Sequence, residues 1–406
     1  MQDESFDIAI VGGGPVGLAM ALALVHSIDD IRVALLDRRA FSVPRDQRAF
    51  AIAAGVRRVF EQLGVWAAMA PQASPVTQMK ITDSGRGDIS RPLFLSFAGD
   101  VTPGEPFAHL VPNMAMQAAL LAAVEAKVTF LAPVEIDGLK PGRLHLADGR
   151  SIVAPLVIAA DGGQSALRQM AGIGVHAHDY RQSGIVTTIA HELDHQGTAF
   201  EHFRPHGPFA SLPLLDADGR GLRSSLVWTE TSAEAARIKT LSLTEAAIEI
   251  EAAMGSVLGA VRVEEPVQAY PLALRIAKSF VGPRLALIGD AAHVVHPIAG
   301  QGLNLGLKDV AALAEVVIDA MRMGLDHGAP DVLERYQRWR RLDTSLMALV
   351  TDGMNRLFSN DVAPVRALRD FGLGVVDRLP LVKDALISRA AGIDCNGPRL
   401  LSGHPI

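Results

Sequence analysis

Cysteine is nearly absent: Cys395 is the single one among 406 residues, so no internal disulfide can form. Such usage fits a reducing compartment. A basic block is missing too, and 38 Lys and Arg against 44 Asp and Glu leave a net charge of −6. Neutralising phosphates takes a positive patch, so a nucleic-acid partner has no electrostatic support. No apolar run reaches the roughly 20 residues that span a bilayer. The opening residues, MQDESFD, are acidic where an export signal is basic, so no export signal is expected. There is no repeat and no low-complexity tract.

What is present is a globular composition, 49% hydrophobic and 20% charged. The length exceeds one ordinary core, so two or three packed units are expected. Residues 6–11 (FDIAIV) read as a short buried strand. GGGPVG follows at 12–17, then a helical run (LAMALALVH), then a second strand at 31–36 that ends on Asp37. This is the strand–turn–helix–strand setting that a dinucleotide site needs. Gly12 permits the tight turn, Gly14 lets a pyrophosphate approach the backbone, and Gly17 lets helix and strand lie close. The helix N-terminus offers unpaired N–H groups to phosphate. Asp37, twenty residues beyond Gly17, is placed to bind an adenosine ribose. The turn alone does not separate FAD from NAD.

Two later segments do. A strand at 156–160 (LVIAA) runs into Asp161 and the pattern DGGQSALR, ending at Arg168. A strand at 285–288 meets Gly289 and Asp290 in GDAAH, and HPIAGQGLNLGLKD follows at 296–309. These segments resemble the fingerprints of flavoprotein monooxygenases related to para-hydroxybenzoate hydroxylase. The second is closer still to the ubiquinone-biosynthesis hydroxylases within that group. Residues 201–214 (EHFRPHGPFASLPL) and 224–229 (SSLVWT) also resemble that subfamily's substrate sheet, so the likeness spans nearly the whole chain.

The resemblance implies an α/β fold. It has a discontinuous Rossmann-like FAD-binding domain (1–75, 101–178 and 271–335), an antiparallel β-sheet substrate domain (76–100 and 179–270) and C-terminal helices (336–406). FAD would be held by Gly12, Gly14, Gly17, Asp37, Arg48, Gln117, Asp161, Gly289, Asp290, Pro297, Gly300, Gly302, Leu303 and Asn304. Arg48 would meet phosphates with its planar fork. The Asp290 carboxylate would accept from ribityl hydroxyls. The helix opened by GQG would aim its positive end at the flavin, where reduced flavin carries charge. For Asp161 and Arg168 the alternative is a capped turn in which the two pair. The chain departs from the family at Met114, where an arginine is common, so one phosphate contact is expected to be lost.

The implied reaction is ring hydroxylation through a C4a-hydroperoxyflavin, using O2 and NAD(P)H as reductant. The substrate would be a hydrophobic, prenylated phenol of ubiquinone biosynthesis. The cofactor carries the hard chemistry, and the protein positions and excludes water. A phenol gains nucleophilicity on losing its proton, so an acceptor is sought. His296, with Pro297 beside it, and Tyr270 are the candidates, followed by His206. His293 is expected to order its turn. The apolar stretches 212–214 and 270–274 suit pocket walls. The alternatives are a hydroxylase of a soluble aromatic compound, or a scaffold holding FAD or a lipid in a quinone-biosynthesis complex. The tryptophan-bearing motif of related halogenases is missing. The apolar segment 371–392 is read as a helix pair packed on the FAD unit, or as a docking surface for partner proteins or membrane lipid. The protein is expected in the cytoplasm or at the inner membrane's surface.

Overall fold

The computed structural model describes residues 3–46, 48–83, 93–98, 100–216, 218–297, 300–358, 392 and 397–406. The segment at 371–391 and Cys395 lie outside the described residues.

The chain begins with strands buried on both faces. Ile8–Val11 and Val33–Leu36 are apolar at every position and fully buried. Unbroken apolar runs of this length suit a parallel sheet covered on both sides. They join Thr129–Leu131, Leu156–Ala159 and Leu285–Leu287 in one parallel sheet, with Val281–Gly282 antiparallel at one edge. The spatial order starts Thr129–Leu131, Val33–Leu36, Ile8–Val11, Leu156–Ala159, so the chain reverses direction around Ile8–Val11. In open parallel sheets a ligand crevice forms at the carboxyl ends beside such a reversal. Pro15–Ser27 packs on this sheet together with Asn113–Val124 and Gln301–Arg322. Pro15 sits where a helix needs no N–H.

The second sheet has nine strands. Its order is His293–Val294, Gln268–Ala277, Val175–His191, Arg223–Thr231, Gly207–Leu214, Thr198–Arg204, Gln78–Asp83, Leu93–Ala98, and Val261–Val263 adds to Val175–His191. Pairing is antiparallel except between Thr198–Arg204 and Gln78–Asp83, which are parallel. One face carries Ile185, Ile189, Phe209, Leu226 and Trp228, packed against the helices Ser232–Lys239 and Leu243–Met254. A capping box at Ser242 and Glu245 starts the latter. The opposite face looks into the large cavity. Strands cross the expected unit boundaries without a break: 178/179 falls inside Val175–His191, and 270/271 inside Gln268–Ala277. A long strand has no composition change where it passes from one unit to the next. The boundary at 335/336 likewise falls inside the helix Pro330–Phe358.

Candidate active site

The glycine turn is built by close backbone approach. Gly12 has φ +119°, and a side-chain carbon there would lie 2.2 Å from the Ala160 carbonyl oxygen. At Gly17 it would lie 1.9 Å from the Gly12 oxygen. At Gly14 the same atom would meet nothing within 4 Å, because this glycine faces the cavity. The first two glycines are therefore demanded by packing, whereas the third leaves space in front of a helix N-terminus.

Side chains lock this turn from behind. The Gly13 N–H donates to Asp37 Oδ2 at 2.7 Å, and the Gly13 carbonyl accepts from Gln117 Nε2 at 2.7 Å. Asp37 Oδ1 accepts from the Arg39 N–H at 2.8 Å. Asp37 also lines the cavity, and each carboxylate oxygen has a further lone pair to offer. Gln117 is buried and does not line the cavity, so it supports the turn rather than facing it. Met114 is 42% exposed and lies off the cavity wall.

At the end of Leu156–Ala159, Asp161 Oδ2 accepts from the Leu167 N–H at 3.2 Å, while its buried Oδ1 has no partner. Ser165, not Asp161, caps the short helix Ala166–Met170. Arg168 turns away and donates to the carbonyls of Ala291 at 2.7 Å and Gly163 at 3.0 Å. Arg48 lines the cavity and is clamped by Asp46, with Nη2 to Oδ2 at 2.6 Å. Asp46 also accepts from Asn113 Nδ2 at 2.7 Å.

The third glycine segment is held by a buried charge network. Asp309 Oδ2 accepts from the Gly289 N–H at 2.9 Å and faces His293 Nε2 at 2.6 Å. Its Oδ1 accepts from Arg340 Nε at 2.7 Å. Burial alone would raise the Asp309 carboxyl, but His293 and Arg340 outweigh it and hold the pKa below the usual value. This ties Gly289 and Asp290 to Gln301–Arg322 and to Pro330–Phe358. Asp290, left projecting into the cavity, has its pKa raised by the protein enclosing it, against the pull of His293 and Arg48. Gly300 is left-handed at φ +62° and starts Gln301–Arg322, whose first residues, Gln301, Gly302 and Leu303, line the cavity. Asn304 lines it too, but its amide is spent on the backbone of Ala51 and Ala53, at 2.7 and 3.0 Å.

One cavity of about 1860 Å³ joins these parts to the nine-stranded sheet. That exceeds the ~300–1,000 Å³ of an ordinary small-molecule pocket and leaves room for a dinucleotide and a second molecule. Open space at Gly14 and Gly302, an unpartnered buried Asp161 oxygen and two helix N-termini match what FAD requires. Pro297 lines this space; His296 and Tyr270 do not. His296 is fully buried against Tyr180, with neither ring nitrogen partnered, and burial lowers its pKa to about 4. Tyr270 is 40% exposed, its ring beneath the Arg48 guanidinium at 5.5 Å. His206 lies on an exposed turn. Of the stretches expected to form walls, Leu212 and Leu272 line the cavity, with Ile81, Phe203 and Val227 beside them.

The residues that sequence reasoning did not single out are Asp309, Arg340 and Glu201. Asp309 was quoted only as the end of a motif, and Arg340 has no local signal. Glu201 had one: it shares strand parity with Ala199 and Phe203, which places a carboxylate on the cavity face.

The FAD binding domain family profile matches residues 5–348, spanning every segment of this site. The ubiquinone hydroxylase UbiL of Rhodospirillum rubrum is 39% identical over all of this chain and 94% of that protein. The chain belongs to this family of FAD-dependent hydroxylases. The 3-demethoxyubiquinol 3-hydroxylase of Escherichia coli is 36% identical, covering 97% of this chain and all of that one. Among solved structures, p-nitrophenol 4-monooxygenase PnpA from Pseudomonas putida shares the fold, with a TM-score of 0.78 at 20% identity, over 98% of this chain and all of that one. The protein is therefore an FAD-dependent monooxygenase.

Proposed function

We propose that this monooxygenase hydroxylates a polyprenylated phenol during ubiquinone assembly, taking electrons from NAD(P)H. The supporting observation is the large cavity, polar where it meets the glycine turns and mostly apolar along the nine-stranded sheet. Bound FAD would supply the activation of O2 and the transfer of one oxygen atom. Residues of this chain would hold it: the turn at Gly12–Gly14 and Asp37 at the adenosine end, Arg48 and Asp161 along the phosphates, and Asp290 with Gly300–Asn304 towards the ring. The sheet's apolar side chains would orient the phenol and keep water out, which matters because water would divert oxygen to peroxide.

Relatives named as ubiquinone hydroxylases support the substrate class. No helix among the described residues is long and apolar enough to cross a membrane. Peripheral attachment to the inner membrane is part of the proposal. It is supported by exposed Leu342, Leu349 and Val350 on Pro330–Phe358, the helix whose Leu346 and Val350 also line the cavity. A lipid-borne substrate would then enter beside that helix. The test is turnover of purified holoprotein with a prenylphenol, O2 and either NADH or NADPH, with product mass as readout. A mass gain of one oxygen atom is expected. FAD reduction without product for every prenylated phenol tried, but with product from a soluble phenol, would overturn the substrate class.

A further inference from the structure

The nine-stranded sheet presents to the cavity a wall that is apolar apart from Thr229 and one carboxylate. Glu201 sits mid-strand in Thr198–Arg204, opposite Ala210 on one neighbour and Ile81 on the other. Its same-face neighbours along the strand are Ala199 and Phe203, and all five residues line the cavity. Among the described residues it is the sole ionisable group that this sheet contributes to the wall, and burial is the one influence that perturbs its carboxylate. The side chain is buried, 6% exposed, yet faces open space. The other charged groups on the wall lie elsewhere. Arg48, Asp161, Asp290 and Asp343 come from the FAD-side turns and the helix Pro330–Phe358, whereas Arg38, Arg39 and Glu135 cluster with Asp37. A lone carboxylate on apolar surroundings is costly to keep charged. A ligand hydroxyl donating to it would offset that cost.

We propose that Glu201 is the catalytic acceptor for the ring hydroxyl of the substrate. The inference rests on the phenolic reading of the substrate given above. In the step, the phenol O–H bond breaks and a carboxyl O–H bond forms. The electron pair moves through the ring to the carbon that takes up the oxygen atom, which the monooxygenase reaction supplies. That carbon then loses its own proton to solvent, and Glu201 returns the held proton to the ring oxygen. The net change is one C–H replaced by C–OH. Burial raises the Glu201 pKa to about 7, which suits a group that must accept and release a proton near neutrality.

The test uses the FAD-loaded enzyme with 2-geranylphenol and geranylbenzene, which differ only in the hydroxyl, titrated through the flavin absorbance. Wild type at pH 8 is expected to hold the phenol about tenfold or more tighter, as for a hydrogen bond to a charged group. Glu201→Leu should erase that preference. An unchanged ratio in Glu201→Leu overturns the proposal. Should that variant not retain FAD, the isosteric Glu201→Gln decides. Wild-type preference must grow from pH 6 to 8 as the carboxylate forms, and must stay flat in Glu201→Gln; equal pH behaviour in both overturns the proposal. Product formed when dithionite-reduced enzyme meets O2 should fall about a hundredfold in Glu201→Gln, and an undiminished yield overturns the proton-transfer step. Wild type making no product from 2-geranylphenol would instead refute the substrate reading, while the binding ratios still decide the role of Glu201.

Discussion

Two alanine substitutions three residues apart should have opposite consequences. At Gly14 an added methyl meets no atom within 4 Å, and the backbone, at φ −77° and ψ 176°, is one any residue adopts. Gly14→Ala should therefore leave the apoprotein as stable as wild type, or more stable by about 0.5 kcal/mol through the unfolded chain. Its methyl projects into the space where the dinucleotide's phosphates would approach the helix N-terminus. Displacing them costs one or two hydrogen bonds to a charged group, each about 1.5–3 kcal/mol, so FAD affinity should fall about ten- to a hundredfold or more. At Gly17 the methyl would lie 1.9 Å from the Gly12 oxygen, a backbone atom with no rotamer to change. Helix and strand must separate by more than an ångström, and Gly17→Ala should destabilise the apoprotein by about 2–3 kcal/mol. The assays are thermal unfolding of both apoproteins and FAD titration by flavin fluorescence. Wild-type FAD affinity in Gly14→Ala would refute the placement of the phosphates. A Gly17→Ala apoprotein as stable as wild type would refute the packing argument.

Asp309→Asn should destabilise the protein by about 1.5–3 kcal/mol, because the buried Arg340 would lose one of its two carboxylate partners and keep only Asp343; unfolding by urea measures this. The Asp309 pKa is held below its usual value in the fold, so its stabilisation is present above the unfolded value and should disappear as pH falls through the lower folded one. Glu201 has the opposite sign. Its folded pKa of about 7 lies above the usual 4.5, so wild type should lose up to about 3 kcal/mol relative to Glu201→Gln as pH rises from 4.5 through 7. A melting-temperature difference that does not widen between pH 5 and 8 would contradict that burial. Asp290→Ala should weaken FAD binding about tenfold or more while preserving the fold, since the carboxylate faces the cavity; unchanged flavin content after purification would count against its role.

The local parts of this protein were legible from the residues. Strands buried on both faces announce themselves as unbroken apolar runs, as at 8–11 and 156–159. The glycine turn was equally plain, because only glycine accepts the approach seen at Gly12 and Gly17. Family resemblance named the third segment but not which of its side chains also brace the fold. Asn304 spends its amide on the strand Ala49–Ala53, 251 residues away. His296, adjacent to the glycines in sequence, is turned into the core against Tyr180.

Sequence alone therefore determined the element types, the parallel sheet and the phosphate-binding turns, since these depend on neighbours within a few positions and on the side-chain period of strands and helices. Tertiary structure alone decided which polar groups face the cavity and which are consumed in holding it. Orientation across a strand flips with each residue, and hydrogen-bond partners such as Asp309 with Arg340 or Gln117 with Gly13 meet only when distant segments pack. The carboxylate of Glu201 becomes chemically distinctive for the same reason: its perturbation comes from burial, which the strands on either side complete.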